Sequence, residues 1–252
     1  MPLRDAEGMA FRGSAHFPKA RSMPLLAPLL IFLALSASPL PACAAEGEFR
    51  PLFNGRDLTG WEGDRRSWSV RDHCIRGETT LAALPVGNTF LIWRGGVLKD
   101  FDLRLKFRLR NGNSGVQYRC ADLGKWVVSG YQAEIENKQG KAGFLYEEKG
   151  RGWLARVGEK VAAGPNGKPR VVGELAKKDA LIAAGYYRMR DWNEYRIVAR
   201  GNHVQHWLNG FQTIDFTDQD PARRALTGLL ALQIHAGPPM LVEFRDILLQ
   251  NL

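Results

Sequence analysis

Apolar and polar residues alternate with a period of two through most of the chain beyond residue 48, the pattern of strands that bury one face and wet the other. The clearest run covers residues 101–109, where Phe101, Leu103, Leu105, Phe107 and Leu109 interleave with Asp102, Arg104, Lys106 and Arg108. The same reading predicts strands over 49–53, 68–71, 74–76, 90–93, 115–120, 131–136, 143–146, 193–200, 203–208, 213–216, 229–235 and 242–251. Short strands at such intervals suggest a sandwich of antiparallel sheets. Arg200-Gly201-Asn202-His203 and Asn209-Gly210 supply hairpin turns, because Gly and Asn accept positive φ. Between residues 147 and 191 the alternation gives way to loop sequence centred on Gly164-Pro165-Asn166-Gly167, with a short helix predicted over 177–184. An insertion of that length reads as a wall or lid over a site. With no internal repeat and no linker, residues 45–252 form one domain.

Two of the predicted strands carry unusual polar faces. Period two puts Gln132, Glu134 and Glu136 on one face and Tyr131, Ala133 and Ile135 on the other. It likewise puts Gln117 with Arg119, and Val116 with Tyr118. If the two strands pair, one sheet face carries carboxylates, amides and a guanidinium, which describes a site and not a core.

The first 44 residues read differently. Arg12, Lys19 and Arg21 precede an apolar run over 25–40 that ends in Pro41-Ala42-Cys43-Ala44-Ala45. A basic start, a short apolar stretch and small residues at the end describe a secretory signal peptide, and the run is too short to span a membrane comfortably. The expected location is periplasmic or secreted, with no transmembrane segment after processing. A lipid anchor on Cys43 is the alternative to simple cleavage. Removing the leader leaves 208 residues, ample for a large all-β domain, and lowers the formal charge from +9 to +7. The basic residues are spread along the chain, as Arg104, Lys106 and Arg108 illustrate, which argues against nucleic acid. Cys74 and Cys120 remain, either as a disulfide or as buried thiols, and no spacing resembles a zinc site.

A series of landmarks runs in order along the chain: Leu52-Phe53-Asn54-Gly55-Arg56-Asp57-Leu58-Thr59-Gly60-Trp61, Asp100-Phe101-Asp102-Leu103, Gly112-Asn113-Ser114-Gly115-Val116 and Gly130-Tyr131-Gln132-Ala133-Glu134-Ile135. Gly143-Phe144-Leu145-Tyr146, Asp191-Trp192-Asn193-Glu194-Tyr195, Leu208-Asn209-Gly210, Leu232-Gln233-Ile234-His235 and Phe244-Arg245-Asp246-Ile247 continue it. Together they resemble the 3-keto-disaccharide hydrolase family, associated with 3-keto-glucoside-1,2-lyase and 3-keto-2-hydroxyglucal hydratase activity. The resemblance implies an all-β concanavalin A-like lectin/glucanase sandwich, a jelly roll of two antiparallel sheets with carbohydrate on the concave side. It also implies an oxidised glycoside or disaccharide as substrate and a sugar 3-dehydrogenase as functional partner.

On such a substrate the C3 carbonyl acidifies the C2 hydrogen, and an enolate formed there can expel the group on C1. The chemistry needs a base, a donor at the C3 oxygen and a proton for the leaving group. Glu134 and His235 are the expected proton movers and Arg119 the expected enolate stabiliser. Asn113, Gln117, Gln132, Tyr146, Gln233 and Trp207 are the expected substrate contacts, and Trp126 and Trp153 further stacking platforms. Parity on 229–235 puts Gln233 and His235 on one face, opposite Leu232 and Ile234. Structural alternatives stand beside these: an ion pair of Glu134 with Arg119, a turn histidine at 235, and a core histidine at 206. Glu134 with Glu136 could instead hold a divalent cation; no other cofactor is expected. Two further functions stay open, a retaining glycosidase using Glu134 and Glu136 and a non-catalytic lectin-like module.

Overall fold

A computed structural model describes residues 47–252, together with Ser14. The expected leader over 1–44, its cleavage site and the alternative anchor at Cys43 otherwise lie outside the described residues. In chain order the elements are β1 (Arg50–Pro51), β2 (Trp61–Glu62), β3 (Trp68–Arg71), β4 (Cys74–Glu78), β5 (Thr89–Leu98) and β6 (Phe101–Asn111). There follow β7 (Asn113–Gly124), β8 (Val127–Glu136), β9 (Leu145–Glu148), β10 (Gly152–Ala155), β11 (Glu159–Ala163), β12 (Pro169–Glu174) and α1 (Lys178–Ala183). The last five are β13 (Asn193–Arg200), β14 (His203–Leu208), β15 (Phe211–Asp218), β16 (Gly228–Ile234) and β17 (Leu241–Asn251).

These strands build a two-sheet, concanavalin A-like sandwich. One sheet has ten strands in the order β12-β11-β15-β14-β13-β6-β17-β4-β3, with β1 added on β17. The other has seven, in the order β10-β9-β8-β7-β16-β5-β2. All pairings are antiparallel except β11 with β15. The apolar parity read from sequence is what fills the space between the sheets. Leu103, Leu105, Phe107 and Leu109 of β6 face Val116 and Tyr118 of β7, Tyr131, Ala133 and Ile135 of β8, and Leu230, Leu232 and Ile234 of β16 in one buried cluster. Burial of that apolar area is the main force holding the sheets together. Cys74 and Cys120 are both free, buried thiols, which closes the disulfide alternative.

The insertion after residue 147 contains more regular structure than its sequence suggests. α1 forms where a helix is expected, but β10, β11 and β12 occupy what reads as loop. The β11–β12 hairpin is closed at Gly164–Gly167 by a Gly167 N–H to Gly164 carbonyl bond of 2.8 Å, with Gly167 at φ +71°. β11 then pairs along β15, so an existing sheet edge supplies the ladder bonds that weak local alternation could not.

Candidate functional site

The outward face of the seven-stranded sheet carries the site. On β8, Tyr131, Ala133 and Ile135 point into the core, leaving Gln132 and Glu134 on the opposite face. Register sets Gln117 of β7 opposite Gln132, Gly115 opposite Glu134 and Asn113 opposite Glu136. On the other side, Tyr146 of β9 stands opposite Gln132. β16 pairs with β7 and brings Gln233 to the same face. Gly115 is needed for room: a Cβ there would lie 2.7 Å from the Gln132 side chain. The residues enclose a hollow of about 280 Å³, floored by Gln132, Glu134 and Gln233, rimmed by Asn113, His235 and Glu148, and walled by Phe144 and Trp153.

Glu134 sits at its centre and is 4% exposed. Its Oε1 accepts from Asn113 Nδ2 at 2.6 Å and its Oε2 from Gln132 Nε2 at 2.5 Å. Gln132 Oε1 in turn accepts from Gln233 Nε2 at 3.0 Å and from the Gln117 amide. Desolvation dominates over those donors and pushes the carboxyl up to about 8, with Glu136 and Glu148 adding repulsion. A carboxyl so placed exchanges its proton near neutral pH, where general acid–base catalysis is most effective.

The rim adds further groups. Tyr146 is half-buried; burial and the charges of Glu148 and Glu134 raise its phenol, so it stays protonated. Its hydroxyl makes no hydrogen bond among the described residues, so its proton is free to be donated to a ligand. Glu148 accepts from Asn88 Nδ2 at 3.3 Å, while Asn88 Oδ1 accepts from the Ala236 N–H at 3.0 Å. His235 is exposed at the mouth with Nδ1 2.5 Å from the Ala236 carbonyl. In the neutral imidazole that contact takes the Nδ1 proton and leaves Nε2 as the basic nitrogen. Trp153 stacks on Phe144 at 4.1 Å and lies 4.6 Å beneath the Lys141 ammonium. From the 147–191 segment, Glu148 and Trp153 line the hollow.

Arg119 does not join this site. Parity from Gln117 puts it on the outward face, but the β7–β8 register shifts between Tyr118 and Ala121, and Arg119 takes φ +48°. The bulge turns the side chain inward, where its guanidinium donates to the carbonyls of Lys99 (2.8 Å), Gly201 (2.6 Å) and Ala225 (3.2 Å) and meets Asp100 at 3.1 Å. Two neighbouring glycines make room for the bulge. A Cβ on Gly228 would lie 2.4 Å from the Arg119 carbonyl carbon, and one on Gly130 2.8 Å from Cys120 Cα. Arg119 ties loops together, so neither its stabilising role nor its ion pair with Glu134 is realised.

Trp207 is also displaced from the site. It lies on β14, in the other sheet, under the Arg196 guanidinium at 4.9 Å. Gln117 is fully buried and touches the hollow only through Gln132. Trp126 stands in the β7–β8 turn at φ +57° and does not line the hollow. His206 is a core histidine as its parity suggests: Tyr118 Oη lies 2.8 Å from Nε2, and burial pulls its pKa down to about 3. Asn88 and Glu148 are absent from the sequence reading. Glu148 was within reach of it, since it continues the parity of Tyr146 past the expected strand end. Nothing local marks Asn88. As for a divalent cation on Glu134 and Glu136, both Glu134 oxygens already accept amide N–H groups. Among the described residues no three His, Cys, Asp or Glu side chains converge as a ligand set, so the donor geometry does not fit a cation.

Residues 48–250 match the model of the 3-keto-alpha-glucoside-1,2-lyase-like domain. The chain belongs to that family. Membership makes this lyase-like domain a carbohydrate-active protein. A Parabacteroides distasonis protein described as a glycosyl hydrolase superposes with a TM-score of 0.55 at 19% identity, covering 81% of this chain and all 100% of that one. A second P. distasonis protein of the same description gives 0.50 at 18% identity, covering 82% of this chain and 94% of that one. A Bacillus subtilis protein of unknown function with a galectin-like fold gives 0.53 at 12% identity, covering 81% and 96%. At these identities the likeness speaks for the fold alone. No curated protein matches the sequence.

Proposed function

We propose that the lyase-like domain is an exported enzyme that cleaves 3-keto-glycosides by elimination across C1–C2 followed by hydration. The observation that carries this reading is Glu134, a buried carboxyl raised to about 8 and fixed by Asn113 and Gln132 in a sugar-sized hollow. Ionised Glu134 takes the C2 proton, whose acidity comes from the neighbouring ketone. The electron pair passes to the C3 oxygen as an enolate, then returns to form the C1–C2 double bond as the C1–O bond breaks. His235, entering the reaction as the imidazolium, gives the departing oxygen the proton on Nε2; the neutral ring then takes a proton from the water that adds to C1, while Glu134 returns its proton to C2. The net change is hydrolysis.

With Arg119 elsewhere, the donor at the C3 oxygen is the Tyr146 hydroxyl, free of partners among the described residues and kept protonated by burial and two nearby carboxylates. Gln233 and Gln132 offer amides to ring hydroxyls, and Trp153 an aromatic face to the C–H side of the ring. The leader reading over residues 1–44 adds that the enzyme works in the periplasm or outside the cell, beside an oxidoreductase that makes the C3 ketone. N-terminal sequencing of the exported protein checks that part, and a start before residue 43 on it would remove the cleavage reading.

The deciding experiment compares a 3-keto-glucoside with its unoxidised parent, following the enone absorbance. Turnover of the keto sugar alone supports elimination. Cleavage of the parent would replace it with the retaining glycosidase reading, and binding of either without turnover with the lectin-like module.

A further inference from the structure

The basic residues that lie scattered along the sequence gather on one face once the strands are paired. β13, β6 and β17 are neighbours in the ten-stranded sheet, and its outward side, away from Glu134, carries their cations. Along β6, Arg104, Lys106, Arg108 and Arg110 recur at every second residue, a row of positive charges in about 20 Å of strand. The carboxylates among them are fewer and are shared. Asp246 serves Lys106 at 2.9 Å and Arg245 at 3.8 Å, and Asp102 serves Arg196 at 2.7 Å and Arg104 at 3.2 Å. Glu243 serves Arg108 at 2.7 Å, Arg110 at 3.9 Å and Arg76 at 4.0 Å. Glu78 and Glu194 do not make up the difference, so the face keeps a positive surplus after its internal pairing.

The surplus is greatest at a surface cavity of about 470 Å³ beside Trp192, where Lys106, Arg188 and Arg245 meet one carboxylate, Glu194. Arg188 is exposed, and its side chain makes no ion pair among the described residues. Arg245 lies 4.1 Å from the centre of the Trp192 ring, and Arg108 4.7 Å from it. Stacking holds a guanidinium in place without using its N–H donors, so its edge stays open to an acceptor. Arg245 shows the consequence. Its Nε is buried yet makes no hydrogen bond, and Asp246 at 3.8 Å is beyond hydrogen-bond reach. A buried, charged donor left without an acceptor is costly, so the cluster favours an anion.

We infer that this face is a docking surface for an acidic polysaccharide, a chain of uronic-acid units with one carboxylate seated beside Trp192 and others along the β6 row. Planar carboxylates match guanidinium edges bidentately, and the C–H faces of the sugar rings suit the indole. A repeated row of cations fits a linear polyanion better than a small ion. Anionic lipid is the poorer fit, because β6, β13 and β17 carry no exposed large apolar side chain to enter a bilayer. The surface is separate from the Glu134 hollow and stands whether or not the reaction assigned there is correct.

Calorimetric binding of polygalacturonate, of neutral dextran and of phosphatidylglycerol-containing vesicles tests the inference. The native protein is expected to bind polygalacturonate and not dextran, with an affinity that falls as salt is added. Lys106→Gln combined with Arg188→Gln is expected to weaken that binding at least tenfold. Lys125→Asn combined with Lys149→Asn removes the same charge from turns of the seven-stranded sheet and is expected to leave binding within twofold. Asparagine accommodates the left-handed φ of those two lysines, +51° and +52°. Arg188→Glu repeats the test at an exposed residue with no ion pair to lose, and should weaken binding at least as much as the first pair. Equal losses in the two double variants would mean that net charge alone attracts the polymer, and would overturn the docking surface. So would dextran bound as tightly as polygalacturonate, or neither bound. Vesicle binding in place of polygalacturonate binding would give the face to a membrane instead.

Discussion

The two outward faces of the sandwich look alike in sequence and behave in opposite ways. On the ten-stranded sheet, Asp102, Arg104, Lys106 and Arg108 alternate along β6 as Gln132, Glu134 and Glu136 do along β8. There the charges pair with each other: Arg196 with Asp102 at 2.7 Å, Arg108 with Glu243 at 2.7 Å, Lys106 with Asp246 at 2.9 Å. Trp192 and Trp207 lie under Arg245 and Arg196. On the seven-stranded sheet Glu134, buried as deeply as Asp102 and Glu243, meets amides in place of cations. A guanidinium partner would hold a carboxylate ionised at every physiological pH; amide donors inside a desolvated hollow leave the proton exchangeable. What separates the ion-paired face from the reactive one is thus the partner of the carboxylate, not the alternation.

The largest effect expected from breaking that contrast comes from paired substitutions. Glu134→Gln is expected to lower kcat on the 3-keto-glucoside by about 10²–10⁴-fold while binding of the unoxidised parent stays within about threefold. Glu243→Gln on the other face is expected to leave kcat within about twofold and to destabilise by about 2 kcal/mol, because Arg108 loses its charged acceptor. Steady-state kinetics and urea unfolding read the two quantities separately. Retained turnover in Glu134→Gln would take the carboxyl out of the reaction.

The next effect is on pH. Glu134 is raised from 4.5 to about 8, so its favourable contribution to folding is complete below about pH 4.5. As pH rises the unfolded chain releases this proton while the folded one keeps it. Stability declines until about pH 8 and then levels, and Glu134→Gln should remove that component of the slope. The same ionisation should make kcat/KM rise through about pH 8, since only the carboxylate can accept the C2 proton. A flat profile across that range would contradict the assignment.

These expectations rest on features that differ in how far the sequence reveals them. The face carrying Gln132 and Glu134 is legible because strand parity is local, and Gln233 and His235 are legible for the same reason. Arg119 is not, because one bulge between Tyr118 and Ala121 undoes parity from Gln117 onward. Nothing in the residue itself announces a bulge; its signs are Gly130 and Gly228 on other strands, which are recognisable only once the strands are paired. Trp207 failed for another reason. Its alternation is sound, but parity cannot say which of two sheets a strand enters. Asn88 acts from 60 residues away on Glu148, and such partners are fixed by topology alone. β11 and β12 were hidden because an edge strand can borrow its order from the neighbour it joins.

A smaller effect should come from the wall of the reactive face. Trp153 is 41% exposed and packs mainly on Phe144, so its loss should cost the sandwich little. Trp153→Ala is expected to raise KM about fivefold, equivalent to about 1 kcal/mol of lost ring contact, with kcat nearly unchanged. A fall in kcat at constant KM would instead make the indole part of the proton-handling geometry.

The smallest effect is expected at the Lys106–Asp246 pair, and it asks whether the solvated face is as inert as its exposure implies. The two side chains are 43% and 50% exposed, so solvent screens most of their attraction. Asp246 also holds a left-handed φ of +51°, which most residues resist but asparagine tolerates nearly as well as aspartate. Asp246→Asn therefore removes the charge without straining the turn, and should cost about 0.5 kcal/mol or less, fading as salt is added. Turnover should not move. A loss of activity from this change would mean that the ten-stranded sheet feels the reaction on the other side, and the division of labour between the faces would have to be abandoned.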